Sequence, residues 1–182
     1  MRPVVPLQQQ EYEITISRSN ILDDILQLYE RNPAVDYCSI KFSIEGERGV
    51  DMEGVKREEF SLFWERTLEK FFEGYSTFVP RVGPDVNESK YQVFGRILSH
   101  CFLLTGMFPT AVSKAFVTAL LAGKECLTGE DYIADLLAHV AEYDSLRLKS
   151  ALEMSKSLGH VGVFPEEMSN FLFEFLSEYG VS

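Results

Sequence analysis

I-K-F-S-I-E-G-E-R-G-V-D-M-E-G-V-K-R-E-E-F-S-L-F-W-E-R-T-L-E-K-F-F, from Ile40 to Phe72, holds three patterns in succession. Ile40, Phe42 and Ile44 alternate with Lys41, Ser43 and Glu45, the period-two signature of a half-buried strand. Gly46, Gly49 and Gly54 then punctuate a tight loop in which the backbone is expected to need positive φ or a close approach. From Val55 the period becomes helical. Phe60, Phe63, Trp64, Leu68, Phe71 and Phe72 recur at three- and four-residue steps, while Glu58, Glu65, Arg66, Glu69, Lys70 and Glu73 take mostly the other side. Aromatic side chains bury the most area per residue, so this stripe predicts core. Gly54, at the loop-to-helix junction, is expected to sit in a conformation that other residues disfavour.

Working outward, Tyr12, Ile14 and Ile16 alternate with Glu13 and Thr15 and predict an earlier strand. Ser19 or Asn20 can cap a helix whose apolar face is Ile21, Leu22, Ile25, Leu26 and Tyr29, and Asn32-Pro33 ends it. Downstream, Val79 to Glu88 reads as a loop with Pro80, Gly83 and Pro84. Tyr91, Phe94, Ile97, Leu98, Cys101 and Phe102 then share one helical face. Gly95 inside that helix predicts a close helix contact, because glycine there costs about 1 kcal/mol relative to alanine. Phe108-Pro109-Thr110 starts the next helix, facing inward through Val112, Ala115, Phe116, Ala119 and Leu120, and Gly123 closes it. Thr128, with Asp131 three residues on, caps a further helix with the face Ile133, Leu136, Leu137 and Val140. Leu146, Leu148, Leu152 and Met154 predict another. Gly159 to Gly162 is a break, and Pro165 opens a last helix. The fold class is therefore mainly α with a small β-sheet.

The 182 residues are 46% hydrophobic with 14 Phe and 8 Tyr, enough to build a core. Acidic residues outnumber basic ones 28 to 17, for a net charge of −11. That balance repels phosphate backbones and anionic bilayers, which argues against nucleic acid and membrane partners and leaves a basic protein partner or a solvated surface. Met1 to Gln10 lacks the apolar run of a signal peptide. The apolar stretch Cys101 to Leu121 is broken by Gly106, Pro109, Ser113 and Lys114, too often for a membrane span of about 20 residues. Three scattered cysteines, Cys38, Cys101 and Cys126, fit a reducing compartment, cytosol or nucleus, better than a disulfide framework.

The ordered run Phe42, Glu45, Gly46, Glu47, Gly49, Asp51, Gly54, Val55, Arg57, Glu58 and Phe60 resembles the N-lobe signature of HECT-type E3 ubiquitin ligases, which usually carries a second glycine where this chain has Glu53. Ile14, Ile16, Arg18, Ile21, Leu22, Asp23 and Asp24 resemble the start of that lobe. Phe94, Gly95, Arg96 and Gly106 are similar to its second signature, with a small residue where Ser99 stands. Leu127, Thr128, Glu130 and Asp131 resemble a later L-T-L-E-D element. The similarity spans roughly Tyr12 to Leu137, and residues 138–182 form a divergent helical part. The chain is thus expected to comprise a flexible lead-in, residues 1–11, and one HECT-like N-lobe domain, residues 12–182.

The resemblance implies a scaffold. In the family this lobe carries a smaller subdomain that docks the ubiquitin-loaded conjugating enzyme (E2) and a hinge to a separate catalytic lobe. There, a cysteine in a context like A-x-T-C-x-x-x-L accepts ubiquitin. Cys38, Cys101 and Cys126 lie in no such context, and residues 138–182 are too few to supply both missing parts. The expectation is a HECT scaffold lobe that does not transfer ubiquitin alone and meets E2 or ubiquitin only through parts not present here. The alternative is a truncated HECT-like protein-interaction module with no ligase role.

Other chemistry finds little support. No catalytic residue, cofactor or metal is expected. His100, His139 and His160 lack ligand spacing. Asp85 to Ser89 fails as a calcium loop because Lys90 and Arg96 occupy the glycine and bidentate glutamate positions. Gly49 to Lys56 has one residue too many for a P-loop and is crowded by Glu45, Glu47, Asp51 and Glu53. These carboxylates are expected to bond loop amides or pair with Arg48 and Arg57 rather than do acid–base work. One residue stands out as a partner-binding candidate. The last helix has the apolar stripe Met168, Phe171, Leu172, Phe175, Leu176, Tyr179, and Phe173 points away from its middle. Either another helix covers Phe173, or it marks a surface for a missing lobe, a second copy of the chain or a partner protein.

Overall fold

The computed structural model describes residues 11–46, 52–81, 83, 87–158 and 163–178. Of the sequence features above, Met1–Gln10, Glu47 to Asp51, Pro84 to Val86, Gly159 to Gly162 and Tyr179 lie outside the described residues. The fold is mostly helical with a small β component, and the chain divides into two compact units. The first comprises residues 1–73 and 80–110, the second residues 74–79 and 111–182.

The first unit opens with strand β1 (Glu11–Ile16), helix α1 (Ile21–Arg31) and strand β2 (Ser39–Ile44). The strands pair in parallel, Tyr12 opposite Ile40 and Ile14 opposite Phe42. Parallel pairing requires a crossover, and α1 supplies it. Its expected stripe, Ile21, Leu22, Ile25, Leu26 and Tyr29, is buried throughout. The expected side-chain cap does not form. Asn20 occupies the cap position with ψ of 11°, outside the extended geometry that aims a side chain at the first turn. The Asp24 carboxylate instead accepts from the Ser17 amide at 3.0 Å.

Helix α2 (Met52–Phe71) begins earlier than the periodicity indicated. Gly54 therefore lies within its first turn and is not among the positive-φ glycines, so the strained conformation expected there is absent. Among the described residues of the loop, Gly46, two residues past the end of β2, turns the chain with φ of 81°. The aromatic stripe is core as expected: Phe60 and Phe63 have no exposure and Trp64 has 5%. Phe42 meets Phe60 edge-on at 5.3 Å between centroids, which ties β2 to α2. Phe72 leaves the helix and starts strand β3 (Phe72–Gly74), which pairs with strand β4 (Phe78–Pro80). Among the described residues the β component is two two-stranded sheets. Helix α3 (Glu88–Thr105) is capped by the Asn87 side chain and stopped by Gly106, whose φ of 69° is the left-handed C-cap geometry. Phe94, Ile97 and Cys101 are buried, but Phe102 is exposed. Gly95 faces open space, so no close contact explains it.

The second unit holds helices α4 (Lys114–Ala122), α5 (Gly129–His139), α6 (Glu142–Leu158) and α7 (Glu166–Glu178). Helix α4 does not start at Pro109. Phe78 bridges Val112 and exchanges hydrogen bonds with Ala111 and Ser113, which holds those residues extended and leaves Ser113 to cap the helix. The Thr128–Asp131 capping box of α5 forms as the sequence indicated. The amides of Tyr75, Ser76 and Thr77 donate to the carbonyls of Ala138 and His139, satisfying the C-terminus of α5. One buried cluster comprises Val140, Leu148, Phe171 and Phe175, with Leu137, Met168 and Leu172 packed against it. Leu120, expected to face inward, is exposed, as are Ile133, Leu136 and Leu176 from the apolar helix faces and Leu146.

Candidate functional site

Among the described residues of the first unit, a network of polar and titratable groups joins α1, α3 and the short 3-10 turn Val35–Tyr37. Arg96 on α3 forms a two-pronged pair with Asp36, Nε to Oδ2 at 2.7 Å and Nη2 to Oδ1 at 2.8 Å. Its remaining N–H groups donate to the carbonyls of Tyr29 at 2.9 Å, Asn32 at 3.2 Å and Pro33 at 3.3 Å. These are carbonyls at the end of α1 and just beyond it, where intrahelical donors run out. One turn further along α3, His100 is buried between two partners, Tyr29 Oη at 2.8 Å from Nδ1 and the Cys38 carbonyl at 2.8 Å from Nε2. A carbonyl only accepts, so Nε2 carries the proton and Nδ1 accepts from the Tyr29 hydroxyl. Burial lowers the His100 pKa below the ordinary imidazole value, offset in part by the Cys38 carbonyl. Burial likewise raises Tyr29 well above the usual phenol value, with Asp36 adding to it.

This arrangement has the groups of a proton relay. Its atoms are hydrogen-bonded to one another, joining α3 to α1 and to the segment that follows it, and Tyr29 has no exposure. The chemistry it performs is structural. Arg57, from the loop-helix signature, does a similar task, donating from Nη2 to the Thr105 carbonyl at the end of α3 at 3.1 Å.

One measurable consequence follows from His100. Its folded pKa lies below the unfolded value of about 6.5, so the unfolded chain takes up the proton first as pH falls. The stabilisation is complete above about pH 6.5 and is lost as pH drops through that value towards the folded pKa. Thermal melts are expected to show a steeper loss of stability on acidification for the wild type than for His100→Gln. Equal slopes contradict the assignment.

The three cysteines have different surroundings. Cys38 and Cys101 are buried, Cys38 donating to the Ala34 carbonyl at 3.4 Å. Burial raises the Cys101 pKa, against hydrogen bonding with Thr105, which suits an inert thiol. Cys126 is exposed, its thiol directed to the Ala122 carbonyl at 3.2 Å. It borders a cleft of about 360 Å³ in the second unit, together with Thr77, Lys114, Thr118, Asp131 and Asp135. Both carboxylates there hold helix ends. Asp135 accepts from Ser113 Oγ at 2.6 Å and the Ala115 amide at 3.4 Å. Asp131 accepts from Thr128 Oγ1 at 2.7 Å and its amide at 2.9 Å, which lowers the Asp131 pKa. Among the described residues no three His, Cys, Asp or Glu side chains converge as metal ligands would, and no helix is long and apolar enough to cross a membrane.

The remaining candidate is a surface. Phe173 on α7 is 74% exposed, whereas Phe171 and Phe175 on the same helix are buried. No other helix of its own unit covers it. His100 and Arg96 were the residues whose importance periodicity missed, since their partners lie 60 or more positions away in the chain. No protein-family model matches the sequence, and no curated protein matches it.

Proposed function

We propose that the chain is the scaffold lobe of a HECT-type E3 ubiquitin ligase, without the lobe that carries the acceptor cysteine and inactive as a transferase alone. The observation that carries the reading is the ordered run from Phe42 to Phe60, whose order and spacing are specific. Of its described residues, Phe42 and Phe60 meet across strand and helix, Gly46 turns the chain, and Arg57 donates to the end of α3. Arg96 and Gly106, from the second similar stretch, cap α1 and end α3. None of these side chains is left poised for chemistry. E2 and ubiquitin would be met through parts beyond these residues, in the cytosol or nucleus.

A ubiquitin thioester assay with the activating enzyme and a panel of E2s tests the reading. The chain alone is expected to give no thiol-sensitive ubiquitin adduct, since two of its thiols are buried and the third, Cys126, lies outside any acceptor context. An adduct that disappears in Cys126→Ala contradicts it.

A further inference from the structure

Helix α7 is the most one-sidedly charged element of the second unit. Residues 163–178 contain four glutamates, Glu166, Glu167, Glu174 and Glu178, and no lysine, arginine or histidine. All four are exposed. The helix buries Phe171 and Phe175, and Arg147 of α6 stacks on the Phe171 ring at 3.8 Å, so that cation is committed to the inner face. On the outer face, about 100° per residue places Glu166 within about 20° of Phe173 and Leu176 about 60° to one side. Glu174 and Glu167 fall about 100–120° to the other side. Ser169, Asn170 and Ser177, all exposed, surround Phe173 with short side chains, so its ring stands proud of the helix. The outer face therefore carries two exposed apolar side chains, Phe173 and the 42%-exposed Leu176, with Glu166 on the same face and Glu174 and Glu167 along one flank.

An exposed aromatic of this size has a cost in water that is recovered on docking. The charge decides what docks. A second copy packed face to face would bring two sets of four glutamates together, and like charges across an interface oppose association. A basic amphipathic helix meets both features at once, its apolar stripe in contact with Phe173 and Leu176 and its cations over the acidic edge. We propose that the outer face of α7 is the docking site for a basic amphipathic helix of a partner protein, anchored on Phe173 and oriented by Glu166, Glu167 and Glu174. The inference is independent of the HECT reading, since it rests on α7 alone.

The test is a fluorescence-anisotropy titration of the full chain against a labelled synthetic helix with leucines at i, i+3, i+4 and i+7 and lysines elsewhere. Phe173→Ser is expected to weaken binding about tenfold or more, as for an interface anchor, with an unchanged melt. Glu174→Lys is expected to weaken it more than Glu65→Lys, an equal charge change on the exposed side of α2 in the first unit. The same peptide with glutamates replacing lysines is expected not to bind. Undiminished binding by Phe173→Ser, equal effects of Glu174→Lys and Glu65→Lys, or no binding by the wild type overturns the proposal. So does sedimentation showing a dimer that Phe173→Ser dissolves, which would make a second copy the occupant. The charge reversals keep the question decidable should Phe173→Ser lower the melt.

Discussion

Trp64→Ala is expected to destabilise the first unit by about 3–5 kcal/mol, the range for truncating a buried large aromatic. Trp64 is 5% exposed and stands edge-on to Phe63 at 5.3 Å between centroids. Removing the indole loses its transfer free energy and leaves a cavity that neighbours on α2 and α3 close only in part. Thermal unfolding followed by circular dichroism is the measurement, and a fall of roughly 10 °C is the scale for a chain of this size. An unchanged melting temperature refutes the placement of the aromatic stripe in the core.

Arg96→Met is expected to cost about 2–3 kcal/mol. A fully buried pair broken on one side costs about 3–5 kcal/mol. Here the side chains of Arg96 and Asp36 retain 28% and 24% of their exposure, and solvent screens part of the loss. The substitution removes the two-pronged pair and three hydrogen bonds to carbonyls, while the methionine keeps much of the apolar stem. Lysine keeps the charge but cannot reproduce the planar fork, so Arg96→Lys is expected to recover less than half of the stability. Urea denaturation of Arg96→Met, Asp36→Asn and the double variant measures the coupling directly. A loss under about 0.5 kcal/mol, the range of ordinary surface substitutions, contradicts the role assigned to Arg96.

Where the sequence is locally self-sufficient, it is readable. The stripes of α1 and α2 are dense enough that only one face can be core, and both are buried. The Thr128–Asp131 box depends on residues three apart, so spacing alone reveals it. What depends on distant partners is not readable in that way. The three-residue strands β3 and β4 exist through pairing, not propensity. The bridge from Phe78 to Val112 displaces the start of α4 from Pro109 to Ser113, and nothing near Pro109 announces it. Periodicity shows that Leu120, Ile133, Leu136 and Leu146 lie on apolar helix faces but not whether a neighbour covers them, and each is exposed. Gly54 was misread because the loop was extended too far, when α2 had already begun at Met52. His100 gives no sequence signal of burial, because its partners Tyr29 and Cys38 are 71 and 62 residues away.

The candidate surface was legible to the same degree. The angular offset of Phe173 from the α7 stripe could be read from the sequence, but its exposure could not. The acidic edge beside it becomes meaningful only once Phe171 and Phe175 are seen to be buried on the opposite side.

The scaffold reading is tested most directly by running the thioester assay on a chimera. Residues 12–137 of this chain replace the equivalent N-lobe segment of an active HECT ligase, with that ligase's E2-docking and catalytic parts retained. The account predicts a folded chimera that still charges its catalytic-lobe cysteine with ubiquitin, while the present chain alone remains uncharged. A chimera that melts cooperatively yet forms no thioester with any E2 that serves the parent ligase contradicts it.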